Sequence, residues 1–289
     1  MRLTLDPPRG APAPRLFELG RLNTRPRGEN EAEIRMRCAS AFLGRGVSVC
    51  RVLGRYKLFV DGQDYGLGPH LMLDGYWEMW VTEMVARLVR PGMVVADVGA
   101  NLGYFTLMMA ELVGSSGQVH AFEPNPPIAA LLSRSVDLNG YGDRVVVHKY
   151  ALGADDGAWA TLVAPHGEPK NAHLSRASGG VGAAGVEVLV RRLDRLDLGA
   201  IDFLKIDAES AEEAIWSGMD GLLAGSRSLT LILEFAPVRY ADPGGFLARI
   251  LAQGFSLSII DAEAGVRPAS TEQILAGPPA MDRMLLLCR

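Results

Sequence analysis

The residues with the clearest chemistry lie in one loop, Asp97-Val98-Gly99-Ala100-Asn101-Leu102-Gly103, at the end of the β-branched run Val94 to Val98. Gly99 and Gly103 lack a Cβ, so backbone there can approach a ligand closely and a following helix can pack against the strand. A second apolar run, Val119 to Phe122, ends at Glu123, where a carboxylate can accept hydrogen bonds from both hydroxyls of a ribose. The pattern asks for an adenosine. A dinucleotide site wants G-x-G-x-x-G facing a pyrophosphate, but this loop has an anion at the strand end and no third glycine in that register. Asp97 would repel a pyrophosphate and suits a ligand carrying an ammonium and a sulfonium, which is S-adenosylmethionine.

Further along, Asp207 and Glu209 follow the apolar run IDFLKI, and Glu234 nearly closes LTLILEF. An acid at the end of such a run is costly unless partnered, which makes it a site candidate. Carboxylates at a sheet's carboxyl edge can orient a hydroxyl, act as base or bind a divalent ion. The metal candidates are therefore Asp207, Glu209 and Glu234, with Mg²⁺ as the ion. The competing role for Glu209 is to cap the helix that follows it.

The elements that hold these residues follow from periodicity. Val94 to Phe122 reads as strand, tight loop, helix and strand. Asn125-Pro126-Pro127 opens a helix running to Leu138, and Val145 to Tyr150 reads as a third strand. Trp159 to Val163 and Val186 to Val190 are strands of an excursion suited to substrate-specific structure. Ile201 to Ile206 and Leu229 to Phe235 are buried central strands, and Phe255 to Ile260 with Met284 to Cys288 form a final antiparallel pair. The connection from Ala262 to Pro279 reads as surface loop.

Ahead of this unit, residues 1–30 are rich in arginine and proline and are expected to form a flexible arm. Residues 31–75 read as a short helix from Glu31 to Leu43 and a hairpin of Val47 to Leu53 with Tyr56 to Val60. This small unit is expected to serve as a lid, a substrate wall or a homodimer contact, and the sequence does not choose among them. Residues 76–289 make the main domain, which opens with a helix from Met79 to Val89.

The strings DVGANLGYFT, AFEPNP and DFLKIDAESAE resemble the FkbM family of methyltransferases, and Asp97 to Gly103 resembles motif I of class I methyltransferases, with Asn101 where many members have glycine. The resemblance covers roughly Tyr76 to Phe235. It implies an α/β, three-layer Rossmann-like domain with a mostly parallel seven-stranded sheet, and an O-methyltransferase acting on a hydroxyl of a sugar, glycan or secondary metabolite. Asp97, Gly99, Asn101, Gly103, Glu123, Ala151 and Asp207 would bind the cofactor, with Ala151 beside the adenine. His173, in a segment similar to the family's N-x-x-x-S, is the best general-base candidate among the histidines, with a carboxylate among Asp207, Glu209 and Glu234 as the alternative. The family pattern K-I-D-V-E-G is broken by Ala208 and Ser210; serine where glycine supplies positive φ would cost about 1 kcal/mol. That departure keeps open a non-catalytic cofactor-binding protein, and a nicotinamide-dependent oxidoreductase is the other rival.

The 289 residues carry a net charge of −4, which gives no electrostatic case for nucleic acid. Cys38, Cys50 and Cys288 lack C-x-x-C spacing, and no apolar run approaches the about 20 residues of a membrane span, so a cytoplasmic protein is expected.

Overall fold

The computed structural model describes residues 16–175, 185–225 and 228–289. In chain order the first part holds α1 (Arg27–Arg37), β1 (Ser40–Gly44), β2 (Val47–Val52), β3 (Tyr56–Asp61), α2 (Gly68–Leu73) and α3 (Met79–Leu88). The central part holds β4 (Val94–Val98), α4 (Tyr104–Val113), β5 (Gln118–Phe122), α5 (Pro126–Leu138), β6 (Val145–His148), β7 (Ala151–Leu152), β8 (Trp159–Val163), β9 (His173–Ser175) and β10 (Gly185–Arg191). The last part holds β11 (Phe203–Ile206), α6 (Glu212–Ser217), α7 (Asp220–Gly225), β12 (Thr230–Phe235), α8 (Pro243–Ala252), β13 (Ser256–Asp261), β14 (Gly265–Pro268), α9 (Thr271–Leu275) and β15 (Arg283–Cys288).

The main sheet has the order β14-β13-β15-β12-β11-β4-β5-β6, with parallel pairing from β12 through β11, β4 and β5 to β6 and antiparallel pairing at β15 and β14. Its central strands β4, β5, β11 and β12 bury both faces, as a parallel sheet covered by helices must. Val95, Phe203 and Ile232 face one core with α3, α4 and α5, whereas Ala96, Leu204 and Leu231 face the other with α6, α7 and α8. The expected seven strands are corrected to eight. Val266 and its neighbours leave the presumed surface loop to pair with β13 across a tight turn, where the Glu263 and Ala264 amides donate to Asp261 Oδ1 at 2.9 Å.

The N-terminal region also departs from expectation. Residues 16–30 do not continue an arm: Phe17 and Leu22 are buried, Leu19–Asn23 form a 3-10 turn, and α1 begins at Arg27. Residues 1–15 lie outside the described residues. The helix expected to reach Leu43 stops at Arg37, and Ser40–Gly44 instead becomes a third strand beside the hairpin, in the order β1-β2-β3. This sheet is tied to α5, where the Phe59 amide donates to Ser135 Oγ at 3.0 Å and Asn139 Nδ2 donates to the Lys57 carbonyl at 2.7 Å. Its core residues Val52, Leu58 and Val60 continue the core of α3 and α4. This explains why α4 is apolar almost all round: the sheet covers one side and the N-terminal unit the other.

A third sheet, β7-β10-β8-β9, rises from the excursion between β6 and β11. No helix among the described residues is long and apolar enough to cross a membrane.

Candidate active site

The carboxyl ends of β4, β5, β11 and β12 border one cavity, as expected of an open α/β sheet. The loop after β4 is shaped by backbone geometry. Gly99 takes φ +76°, and a Cβ there would stand 1.8 Å from the Asp207 carbonyl oxygen, so only glycine lets the β4 and β11 loops meet. Asn101 adopts φ +50°, which asparagine tolerates by local hydrogen bonding, here from the Leu102 amide to its Oδ1 at 2.7 Å. Glu123 accepts from the Asn101 amide at 2.9 Å and the Asn125 amide at 2.8 Å. Burial nevertheless pushes its carboxyl up to about 7, the two amides only partly offsetting the loss of water.

Of the residues expected to bind the cofactor, Gly99, Asn101, Glu123, Ala151 and Asp207 line the cavity. Asp97 and Gly103 do not. Asp97 is 1% exposed and accepts from Thr106 Oγ1 at 2.6 Å; its other oxygen has no hydrogen-bond partner. It sits behind the cavity wall, in register with Lys205 on the adjacent strand. Burial raises its pKa, with Lys205 opposing. Gly103, at φ +97°, serves packing: a Cβ there would come within 2.3 Å of Leu132 on α5.

On the other side of the cavity the acids are held by charge. Lys205 Nζ donates to Asp207 at 2.8 Å. Arg239 pairs with Glu234, with Glu209 at 3.1 Å and with Asp282 at 3.0 Å. Oxygens of Asp207, Glu209 and Glu234 lie within 4.8 Å of one another. Burial pushes Glu209 up to about 7, opposed by Arg239 and reinforced by Asp207. Burial and the neighbouring carboxylates also hold Glu234 above the usual carboxylate range, against the pull of Arg239. The spacing would admit a divalent ion, but each carboxylate already carries a lysine or arginine partner. Lys205 and Arg239 supply the positive charge that Mg²⁺ would bring, so this donor set does not fit the ion.

Glu209 and Ser210 both adopt positive φ, +48° and +82°. The serine thus occupies the left-handed position expected of the family's glycine. The loop is fastened by Glu212, whose Oε1 accepts from the Ala208 amide at 3.0 Å and the Ser210 amide at 3.3 Å while Tyr240 donates to Oε2 at 3.0 Å. No side-chain hydrogen bond caps α6; Glu212 fastens the loop ahead of it, and Glu209 lines the cavity.

Beyond Glu209 and Arg239 a second groove opens between α6 and the β8-β9-β10 sheet, lined by Trp159, Thr161, Glu187 and Tyr240 among others. His173 belongs to this groove and not to the first cavity; it is exposed, and its Nδ1 lies 3.4 Å from the Asn171 carbonyl. The structure thus joins Asp207 and Glu234 but sets His173 apart from them.

Residues that sequence reasoning missed include Lys205, Arg239 and Glu212. Lys205 left a signal, a lysine inside an otherwise apolar strand. Glu78, immediately ahead of α3, and Tyr104 on α4 line the cavity, and Tyr150 borders it near Ala151. His148 behaves as a satisfied strand histidine, with Nε2 3.1 Å from His120 Nδ1 and Nδ1 2.9 Å from the Tyr150 hydroxyl.

Residues 97–257, more than half of the chain, match the model of the family described as Methyltransferase FkbM domain. The 31-O-demethyl-FK506 methyltransferase FkbM of Streptomyces tacrolimicus is 31% identical over 164 aligned positions, covering 46% of this chain and 61% of that protein. The protein-L-isoaspartate O-methyltransferase of Hyperthermus butylicus is 39% identical over 66 residues, 20% of this chain and 27% of that protein. The chain therefore spans only about a quarter to three fifths of the length of these relatives. The solved structure of M. jannaschii TYW2 in complex with AdoMet aligns over 86% of this chain and 88% of that one, at 14% identity and a TM-score of 0.47.

Proposed function

This chain belongs to the FkbM methyltransferase family, and from that premise we propose that it moves the methyl group of S-adenosylmethionine onto a hydroxyl oxygen of a sugar, glycan or secondary metabolite. The observation that carries this reading is the position of Glu209, which lines both the cavity at the β4 loop and the groove beside it. A donor held in the first and an acceptor in the second would meet at this carboxylate.

Glu123, with both oxygens already oriented by backbone amides, would hold the ribose, and Ala151, Phe122 and Tyr150 would border the adenine. Bound there, S-adenosylmethionine supplies a methyl group on a positively charged sulfur, a leaving group that needs no further activation. The protein's task is then alignment and removal of the acceptor's proton. Glu209 is the base of this reading: its carboxyl near 7 is poised to accept a proton at neutral pH. Lys205 fixes Asp207 beside it, and Arg239 orients Glu209 and Glu234.

Calorimetric titration with S-adenosylmethionine, S-adenosylhomocysteine and NAD, followed by a screen of hydroxyl acceptors, tests the reading. Binding of the first two without NAD, and methyl transfer lowered about 10²- to 10⁴-fold in Glu209→Gln with cofactor affinity retained, is expected. Binding of NAD alone, or transfer only to nitrogen acceptors, would overturn it.

A further inference from the structure

Glu78 occupies the cap position of α3 with φ 40° and ψ 66°, a left-handed conformation that strains a side-chain-bearing residue. Its side chain makes no capping hydrogen bond that would compensate. It lines the cavity, and its Oε2 is fully buried with no hydrogen-bond partner. A strained backbone that sets a carboxylate in the wall of a ligand cavity, with one of its oxygens shut away from water and unpartnered, is costly twice over, and such costs persist at sites where a ligand repays them.

The cations facing the cavity do not answer it. Lys205 is bonded to Asp207, and Arg239 is divided among Glu209, Glu234 and Asp282. Lys170 Nζ lies over the Trp77 ring, 5.7 Å from its centre. Asp97, the acid at the end of β4, is 1% exposed and stands behind the wall.

Resting on the reading of this cavity as the S-adenosylmethionine site, we infer that Glu78 is the carboxylate that receives the positive charge of the bound cofactor. The chemistry it recognises is an ammonium or sulfonium group shielded from water.

One consequence is proton-linked loading. The groups that act on Glu78 are Asp207 and Lys205 on β11, Lys170 ahead of β9 and Asp282 ahead of β15. Burial and the carboxylates push Glu78 up to about 7, against the two lysines. An arriving cation favours the ionised form, so binding releases a proton below that pH, and affinity falls as the solution is acidified.

The experiment is calorimetry of the full chain and of Glu78→Gln with S-adenosylmethionine and S-adenosylhomocysteine at pH 6, 7 and 8, in buffers of different ionisation heat. At pH 7 the natural protein should release about half a proton more than the variant, a difference that grows at pH 6 and shrinks at pH 8. The variant's affinity should drop by about 10- to 100-fold, the loss of one charge-assisted contact. Equal losses for both ligands would place the carboxylate against the amino group they share, and a loss confined to S-adenosylmethionine would place it against the sulfonium. Ligand-free Glu78→Gln should melt no lower than the natural protein, because it removes an unpartnered buried acid; a glutamate with a purely structural role would melt lower. Unchanged affinity and proton count in the variant, with tight binding by the natural protein, would overturn the inference while leaving the cofactor reading intact. Failure of the natural protein to bind S-adenosylmethionine would remove both.

Discussion

The two edges of the cavity hold their acids by different means. At the β4–β5 edge Glu123 is fixed by two backbone amides, a neutral and geometrically rigid arrangement. At the β11–β12 edge Asp207, Glu209 and Glu234 depend on the long side chains of Lys205 and Arg239, and the loop between β11 and α6 holds two successive left-handed residues. Backbone amides cannot titrate or depart, whereas ion pairs can exchange partners when a ligand brings charge. The first edge therefore holds its acid in a fixed position, and in the proposed reaction it would present an acceptor to hydroxyls while the second edge would move protons and accommodate charge.

The largest expected effect comes from removing the shared cation. Arg239→Leu leaves Glu234 and Glu209 without their partner, and breaking a buried pair from one side costs about 3–5 kcal/mol. Chemical denaturation should show that loss at neutral pH and a partial recovery in acid, where the orphaned carboxyls can take up protons. A stability equal to the natural protein's would mean that this edge does not rest on charge. Glu123→Ala tests the opposite edge: cofactor affinity should fall by about 1–3 kcal/mol in calorimetry. Its effect on the pH dependence of the β11–β12 acids should be small, and a large one would join the two edges into a single network.

The same contrast governs what could be read from sequence. The β4–α4–β5 unit, with Gly99, Asn101 and Glu123, was legible because its geometry is local: each residue's role follows from neighbours within one strand-loop-helix. The acids of the second edge were visible as carboxylates closing apolar runs, but their cations were not. Arg239 reaches Glu234 only because Pro237–Arg239 turns back on itself, a conformation that no spacing rule gives. The position of Asp97 at a strand end says nothing about which way its side chain turns; in the fold it accepts from Thr106 Oγ1, behind the cavity wall. The eighth strand was missed because a short edge segment, Gly265–Pro268, carries a proline and little apolar pattern, and is a strand only by virtue of the β13 edge it covers.

A pH series without ligand sharpens the comparison further. Glu78, Glu123 and Glu209 stand at about 7 in the fold against an ordinary value of 4.5, so between those values the folded protein holds protons that the unfolded chain has released. This contribution is fully present below 4.5 and is lost as pH rises through about 7, and the melting temperature of the ligand-free protein should fall across that window by about 2–4 °C for each kcal/mol lost. Saturating S-adenosylmethionine should flatten the decline, since its positive charge favours the ionised acids. A ligand-free melting temperature that climbs from pH 5 to 7 would show these carboxyls to be low and already paired.

The smallest effect concerns strain. Ser210 at φ +82° sits where glycine is free of the Cβ clash, while its amide contact to Glu212 uses only backbone and would survive the change. Ser210→Gly should therefore stabilise the protein by about 0.5–1 kcal/mol, the relief of a left-handed side chain less the greater freedom glycine gives the unfolded chain. Activity decides what that strain is for. If the serine only tolerates the turn, the variant will be more stable and equally active. If the tight loop holds Glu209 against Arg239, the added freedom of glycine will blur that pair, and methyl transfer will fall even as stability rises.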